Sequence, residues 1–166
     1  MTGPRGNDPI REAHRQWVAH GWDDAADGMA MVTSLIRVQQ LLLERIDAVL
    51  RPLDLTFARY EVLMLLSFSR SGSLPMARVG SLLQVHPTSA TSAVARLEGQ
   101  GWVQRTRSAA DGRVVLATVT DAGRSVAAAA TEGLNREVFS RPGLPPELVR
   151  RLTSLLEEHR RGAGDL

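Results

Sequence analysis

The sequence contains no cysteine and no lysine, and only one tyrosine and three phenylalanines occur among its 166 residues. The absence of cysteine excludes disulfides, thiolate nucleophiles, cysteine-type zinc sites and thiol redox sensing. Because residues 1–7 also lack an apolar signal segment, we expect an intracellular, cytoplasmic protein. The longest run without a charged residue, 79–95, contains Gly80, His86 and Pro87, which argues against a membrane-spanning helix.

The twenty basic side chains are all arginines, and eighteen acidic side chains oppose them. Almost nothing titrates between neutral pH and the arginine range, so a small positive balance raises the pI to about 10.3. Residues 1–55 carry a net charge of −2, residues 70–113 carry +4, and the other segments are neutral. A localised basic block is typical of an anion-binding surface, and nucleic acid is the leading candidate. A solvated charged face is the alternative.

The N-terminal third of the chain is predicted to be helical. Asp8 and Pro9 begin a short amphipathic helix that ends near Gly21. A long helix then runs roughly over residues 23–51, until Pro52 stops it. At about 1.5 Å per residue this helix is about 40 Å long, so part of its apolar stripe is expected to meet another chain.

The central segment predicts a DNA-binding arrangement. Thr56 is expected to cap a third helix, and two short helices follow over residues 76–83 and 87–100. Residues 102–107 and 114–120 are rich in alternating or β-branched positions and predict a hairpin. A helix-turn-helix followed directly by a hairpin is a winged helix, and this one coincides with the basic block.

The C-terminal part is predicted to return to helix. Thr120 caps an alanine-rich helix that runs to about Phe139, and prolines at 142–146 interrupt the chain. Leu148, Val149 and Leu152, with Leu155 and Leu156 beyond them, define a last amphipathic helix. The predicted fold class is therefore mainly α with a small β-hairpin wing, in which a winged helix-turn-helix lobe is joined to a helical dimerisation region.

Several motifs in this central segment match a known family. With these motifs the sequence resembles the MarR family of bacterial transcription regulators over nearly its whole length, with Val119 in place of the usual Leu. The matching residues are Pro87, Val94-Ala95-Arg96-Leu97-Glu98, Gly101-Trp102-Val103, Arg105, Asp111-Gly112-Arg113 and Val119-Thr120-Asp121-Ala122-Gly123.

The resemblance implies a homodimeric transcription regulator, most often a repressor, whose two winged lobes straddle a pseudo-palindromic DNA operator. Under this interpretation residues 1–55 form N-terminal dimerisation helices with a possible ligand crevice. Residues 56–120 form the DNA-binding lobe, and residues 121–166 form C-terminal dimerisation helices. The main alternative is a winged-helix interaction module that binds an acidic protein partner without DNA sequence preference.

Residue types suggest how the lobe would contact DNA. Ala90, Val94 and Leu97 share a stripe that should face the core, which leaves small hydroxyl side chains and one arginine on the outer side. Arg113 is expected to enter a minor groove, with Asp111 orienting it. The predicted DNA-binding residues are Arg78, His86, Thr88, Ser89, Thr91, Ser92, Arg96, Arg105, Arg107, Asp111 and Arg113, of which Arg78, Arg105 and Arg107 are assigned to phosphates.

The sequence carries no phosphate loop, nucleophile elbow or metalloprotease motif, so we expect no enzymatic activity and no cofactor. His20 with Asp23, Asp24 and Asp27 is the one cluster with metal-ligand chemistry. Capping and complementation of the helix dipole account for these carboxylates, and we expect no metal.

The family resemblance also implies release from DNA by a small anionic or aromatic molecule. The N-terminal helix with its Trp resembles the urate-responsive branch, and Glu61 stands where that branch has Asp. Ser67 and Phe68 stand where the branch has Arg, which leaves other carboxylated metabolites open. Core or dimer packing is the alternative role for each Trp. The candidate ligand-binding residues are Arg15, Trp17, Trp22, Arg37, Arg59, Tyr60, Glu61 and Arg70.

Overall fold

The computed structural model describes residues 8–165 and divides into two compact units, with the boundary between residues 45 and 46. The first unit contains α1 (Pro9–Ala19) and most of α2 (Asp23–Leu50). The Asp8 carboxylate accepts a hydrogen bond from the Ile10 N–H at 3.0 Å, and Pro9 fills the first position of α1. Both helices lie where capping residues and periodicity predict them.

The turn between α1 and α2 is tight. Gly21 has a φ of 79°, in the left-handed region that glycine adopts without strain. The Trp17 and Trp22 rings meet edge to face at 5.3 Å, and His14 Nε2 lies 2.9 Å from the Asp27 carboxylate. The pairing of His14 with Asp27 joins the two helices.

The second unit begins with the last turn of α2. A short 3-10 turn (Arg51–Leu53) leads to α3, where Thr56 accepts a hydrogen bond from the Arg59 N–H, as its predicted capping role requires. The remaining elements are α3 (Phe57–Phe68), β1 (Ser73–Pro75), α4 (Met76–Leu82), α5 (Pro87–Gly99), β2 (Val103–Arg107), β3 (Val115–Val119), α6 (Asp121–Leu134) and α7 (Pro146–Gly162).

The wing is a three-stranded antiparallel sheet in the order β1-β3-β2. The predicted hairpin is confirmed, with Val103 opposite Val119 and Arg107 opposite Val115. The sequence did not predict β1, in which Ser73 pairs with Thr118. Three residues that end in a proline carry no local strand signal, and only the partner β3 makes them a strand.

Leucines and valines from α3, α5, α6 and the sheet form the core of the second unit. Leu63, Leu66 and Leu97 are completely buried. Ala90 and Val94 are buried with Leu97, so the predicted inner stripe of α5 is confirmed. The core therefore fixes which face of α5 points outward.

The end of α6 differs from its prediction as one helix to Phe139. Regular α-helix stops at Leu134, and residues Asn135–Phe139 form a π-helical segment that contains the buried side chain of Val138. Over residues 8–165, no helix combines the length and the hydropathy that crossing a membrane requires.

Candidate nucleic-acid interface

The outer face of helix α5 is polar, with small hydroxyl side chains toward its N-terminal end and Arg96 in its last turn. His86 caps the helix through its Nδ1, which accepts a hydrogen bond from the Thr88 N–H at 3.3 Å. Within residues 8–165 none of the hydroxyls on the first two turns is hydrogen-bonded to another residue, which leaves them free for an external partner. The exposed residues of this surface are Thr88, Ser89, Thr91, Ser92 and Arg96.

The turn before α5 has the predicted position. Gln84 adopts a left-handed φ of 52°, and the Val85 N–H donates to the Gly80 carbonyl at 3.2 Å. This bend turns the chain between α4 and α5 within four residues, 83–86. Arg78 lies exposed on α4 and forms no ion pair in the described chain.

Backbone and side-chain hydrogen bonds within the tip hold the wing in shape. The Ser108 N–H donates to the Val114 carbonyl at 2.8 Å, and the Asp111 carboxylate accepts from the Arg113 N–H at 3.0 Å. Asp111 therefore bonds the backbone of Arg113 and not its guanidinium, in contrast to the charge-assisted side-chain contact predicted from the sequence. The Arg113 side chain is exposed at the tip, and Arg107 is exposed on β2.

Arg105 has a partner that the sequence did not indicate. Its Nε donates to the Glu98 carboxylate at 2.7 Å, and Nη2 lies 2.5 Å from the same oxygen. The hydrogen bond from Arg105 lowers the pKa of Glu98 below the ordinary 4.5. The pair joins the last turn of α5 to β2, so Arg105 is partly neutralised instead of being free for a phosphate. The sequence signal that could have indicated this pair is the opposite charge of Glu98 and Arg105, seven residues apart on either side of the predicted junction between α5 and β2.

A groove of about 930 Å³ separates the start of α3 from the outer face of α5. Gln100 bridges its two walls: Nε2 donates to Asp54 Oδ2 at 2.8 Å, and Oε1 accepts from Arg59 Nη1 at 2.9 Å. No motif or spacing in the sequence indicates this network. The residues that line the groove are Asp54, Thr56, Ala58, Arg59, Thr88, Ser89, Ser92, Ala93, Ala95, Arg96, Gly99 and Gln100.

Four of the candidate ligand residues belong to the first unit. Trp22 is about half exposed and stacks on His20 at 5.5 Å, while Trp17 is partly buried against Trp22. Arg15 pairs with Glu12 on the same helix. Arg37 Nη1 donates a hydrogen bond to Gln40 Oε1 at 3.3 Å, one turn further along α2.

His20, Asp23, Asp24 and Asp27 do not come together as a metal site. Within residues 8–165, no three side chains of the His, Cys, Asp and Glu types are close enough to hold a metal ion. His20 Nδ1 lies 2.7 Å from the Gln16 carbonyl, and Asp27 is paired with His14.

The other four candidate ligand residues lie in the second unit. Tyr60 is only 6% exposed, and its hydroxyl is hydrogen-bonded to Thr131 at 3.1 Å, so the ring is part of the core and does not offer the aromatic surface predicted for it. Arg59 lines the groove beside α5. Glu61 is partly buried, and this burial raises the pKa of its carboxyl. Arg70 is exposed beyond the end of α3.

Comparison with known proteins agrees with this geometry. A sequence model described as "MarR family" matches residues 53–114. The HTH-type transcriptional repressor Rv2887 of Mycobacterium tuberculosis is 33% identical over 102 residues, which span 61% of this chain and 72% of the relative.

Two solved structures from Streptomyces coelicolor have the same fold. Sco5413, a MarR family transcriptional regulator, shares 45% identity over 84% of this chain and 97% of its own, with a TM-score of 0.76. Sco3205, of the same family and solved in complex with DNA, shares 28% identity over 82% of this chain and 88% of its own, with a TM-score of 0.72. The winged helix built from residues 57–119 and these similarities lead to one conclusion: the chain belongs to the MarR family of transcriptional regulators.

Proposed function

We propose that this protein is a sequence-specific, double-stranded DNA-binding transcriptional repressor and not an enzyme. The observation that carries the proposal is the outer face of α5, where unpartnered hydroxyls and Arg96 project beside an arginine-bearing wing. The Mycobacterium relative is named a repressor, and Sco3205 was solved with DNA bound. Chromosomal DNA is the target, so we place its action in the cytoplasm.

The predicted DNA-binding residues divide by chemistry. Small hydroxyls on α5 allow the backbone to come close to the major groove and to bond base edges or phosphates. Arg113 at the wing tip is suited to the negative potential of a narrow minor groove. Arg78 and Arg107 are exposed and suited to phosphates, whereas Arg105 acts mainly through its pairing with Glu98.

The working form is proposed to be a homodimer on a two-fold operator. Apolar side chains remain exposed along two helices, a pattern that marks a surface for another chain. On α2 they include Met31, Val32 and Ile36, and on α7 they include Leu148, Leu152 and Leu155. Interlocking of these helices with a second copy accounts for an α2 of 28 residues.

Release by a small anionic or aromatic effector completes the proposal. Trp22 and Arg37 are exposed in the first unit and are candidates for contacts with such a molecule. Glu61 and Arg70 are the corresponding candidates in the second unit. The urate-responsive branch is a partial resemblance, because Ser67 stands where an arginine is expected. Other carboxylated metabolites are therefore candidates, and we expect an anionic ligand to weaken operator binding. A screen of small anions that shifts neither the melting temperature nor the DNA affinity would exclude this part.

Selection of bound genomic fragments by the purified protein tests the main proposal. A pseudo-palindromic operator is expected, and loss of all sequence preference would favour the acidic-partner module instead. Arg113→Ala should cost about 1–3 kcal/mol of operator binding and change the preference for flanking A·T pairs. Arg78→Ala should weaken all sequences equally and reduce the salt slope by about one. An unchanged affinity for Arg113→Ala would refute the wing assignment.

A further inference from the structure

The groove between α3 and α5 has two walls with different assignments. Thr88, Ser89, Ser92 and Arg96 on the α5 wall belong to the predicted DNA surface, whereas the α3 wall was not assigned to DNA. Any duplex that rests on the α5 hydroxyls also faces the start of α3 across this groove. The α3 wall is therefore placed to meet the sugar-phosphate backbone that borders the bases under α5.

Arg59 is the cation on the α3 wall, and neutral side chains are its hydrogen-bond partners. Its Nη1 donates to Gln100 Oε1 at 2.9 Å, and Nε donates to Thr56 Oγ1 at 3.4 Å. The Asp54 carboxylate lies 4.0 Å from Nη2, and its side chain is 84% exposed while that of Arg59 is 16% exposed. Because this pair is long and the Asp54 carboxylate lies largely in solvent, it offsets the Arg59 charge only weakly and leaves the guanidinium available to another anion.

The backbone adds to the positive potential of this wall. The N–H groups of Phe57 and Ala58, at the first two positions of α3, have no intrahelical acceptor by the geometry of a helix start. The positive end of the helix dipole lies at the same place, and Ala58 leaves the approach open. A held guanidinium and a helix start together provide donors for the oxygens of one phosphate.

We infer that Arg59 and the first turn of α3 bind a backbone phosphate of the operator duplex. The inference rests on the proposed function and moves Arg59 from the effector set to the DNA interface. Gln100 becomes a positioning residue, since it holds the Arg59 guanidinium and caps the end of α5 at the same time. The contact supplies affinity that α5 itself lacks, because Arg96 is the only cation on that helix.

Substitutions of Arg59 in the full-length protein test the contact. Arg59→Gln should weaken operator and unrelated DNA alike by about tenfold, the effect of one charge-assisted hydrogen bond. It should also lower the slope of log K against log salt by about 0.9, the value for one phosphate. Arg59→Lys should retain the slope. Arg124→Gln, which makes the same charge change outside the groove, is the control and should retain both affinity and slope.

A chemical change in the DNA locates the phosphate. Methylphosphonate, which is uncharged, is placed at one operator position at a time. At the contacted position it should weaken the wild type about tenfold and leave Arg59→Gln binding unchanged. If no position shows this non-additivity, or the salt slope of Arg59→Gln equals that of the wild type, the inference is wrong. If inorganic phosphate stabilises the free wild type but not Arg59→Gln, and no DNA position couples, the groove is a small-anion site and the inference is overturned.

Asp54 gives a prediction of opposite sign. Its carboxylate faces the same groove and would repel a phosphate, so Asp54→Asn should strengthen DNA binding about twofold at low salt. Asn tolerates the left-handed φ of 51° at this position, and its amide oxygen can still accept from Gln100. Unchanged or weaker binding would contradict the inference. If the wild type binds an operator and Arg113→Ala weakens it while the Arg59 and Asp54 variants do not change binding, only this inference fails.

Discussion

At Gly123, α6 lies tightly against the base of the wing. A Cβ atom at this position would lie 2.2 Å from the Trp102 carbonyl oxygen and 3.0 Å from Val119 Cγ2. Non-bonded carbon and oxygen atoms approach to about 3.3 Å, so relief requires a movement of about 1 Å. The obstacle is backbone, which cannot rotate away as a flexible side chain would.

The same carbonyl accepts the hydrogen bond that precedes α6. The Thr120 N–H donates to the Trp102 oxygen at 3.0 Å, and the Thr120 hydroxyl accepts from the Gly123 N–H, also at 3.0 Å. Moving α6 away from Trp102 therefore strains the cap and the start of β2 together. We expect Gly123→Ala to cost about 3 kcal/mol, the upper part of the usual range for overpacking. The Tm should fall by about 6–12 °C.

Thermal unfolding followed by circular dichroism measures this effect at one fixed protein concentration, since the Tm of the proposed homodimer would depend on concentration. Gly99→Ala is the matched control, because the added methyl group on this α5 glycine would meet no neighbouring atom within 4 Å. This substitution should stabilise the protein by at most about 1 kcal/mol. Its Tm should therefore equal or slightly exceed that of the wild type. A Gly123→Ala protein that melts at the wild-type temperature would refute the close approach.

Three further substitutions test the core and the two perturbed carboxyls. Leu66→Ala should cost about 2–5 kcal/mol in chemical denaturation, because Leu66 is completely buried. Burial raises the Glu61 pKa, so Glu61→Gln should stabilise the protein at neutral pH, with the gain in Tm disappearing as the pH falls below 4.5. Arg105 lowers the Glu98 pKa, so the stability that Glu98 gives is present above pH 4.5 and lost on acidification; Glu98→Gln and wild-type Tm values should converge in acid. Glu98→Gln should also tighten non-specific DNA binding in fluorescence anisotropy by freeing Arg105.

Local signals were sufficient for most of the helices. Asp8, Thr56 and Thr120 each accept a hydrogen bond from the N–H two or three residues ahead, as their side-chain chemistry predicts. The inner stripe of α5 follows from helical periodicity alone. These features depend on residues close in sequence, so a single chain suffices to predict them.

Features that depend on contacts between residues distant in sequence could not be predicted from the sequence. β1 pairs through Ser73 with Thr118, 45 residues later, and Tyr60 lies in the core with its hydroxyl hydrogen-bonded to Thr131, 71 residues later. The groove network joins Asp54 to Gln100 across 46 residues. Polar residues of these types are usually exposed, so composition and spacing place them on the surface unless the tertiary contacts are known.

The distribution of charge around α5 assigns overall DNA affinity and discrimination between operator and non-specific DNA to different residues. Sequence-independent attraction grows with each phosphate neutralised, and it strengthens binding to competing genomic DNA as much as to the operator. At the proposed DNA interface, the hydroxyls of α5 and its single cation Arg96 would limit that attraction at the bases, and Glu98 would limit it further by partly neutralising Arg105. Other cations lie around this face, among them Arg113 on the wing, Arg59 at the start of α3 and Arg78 on α4. Substitutions on the α5 face should therefore change the ratio of operator to non-specific affinity, while substitutions at Arg59 should scale both together.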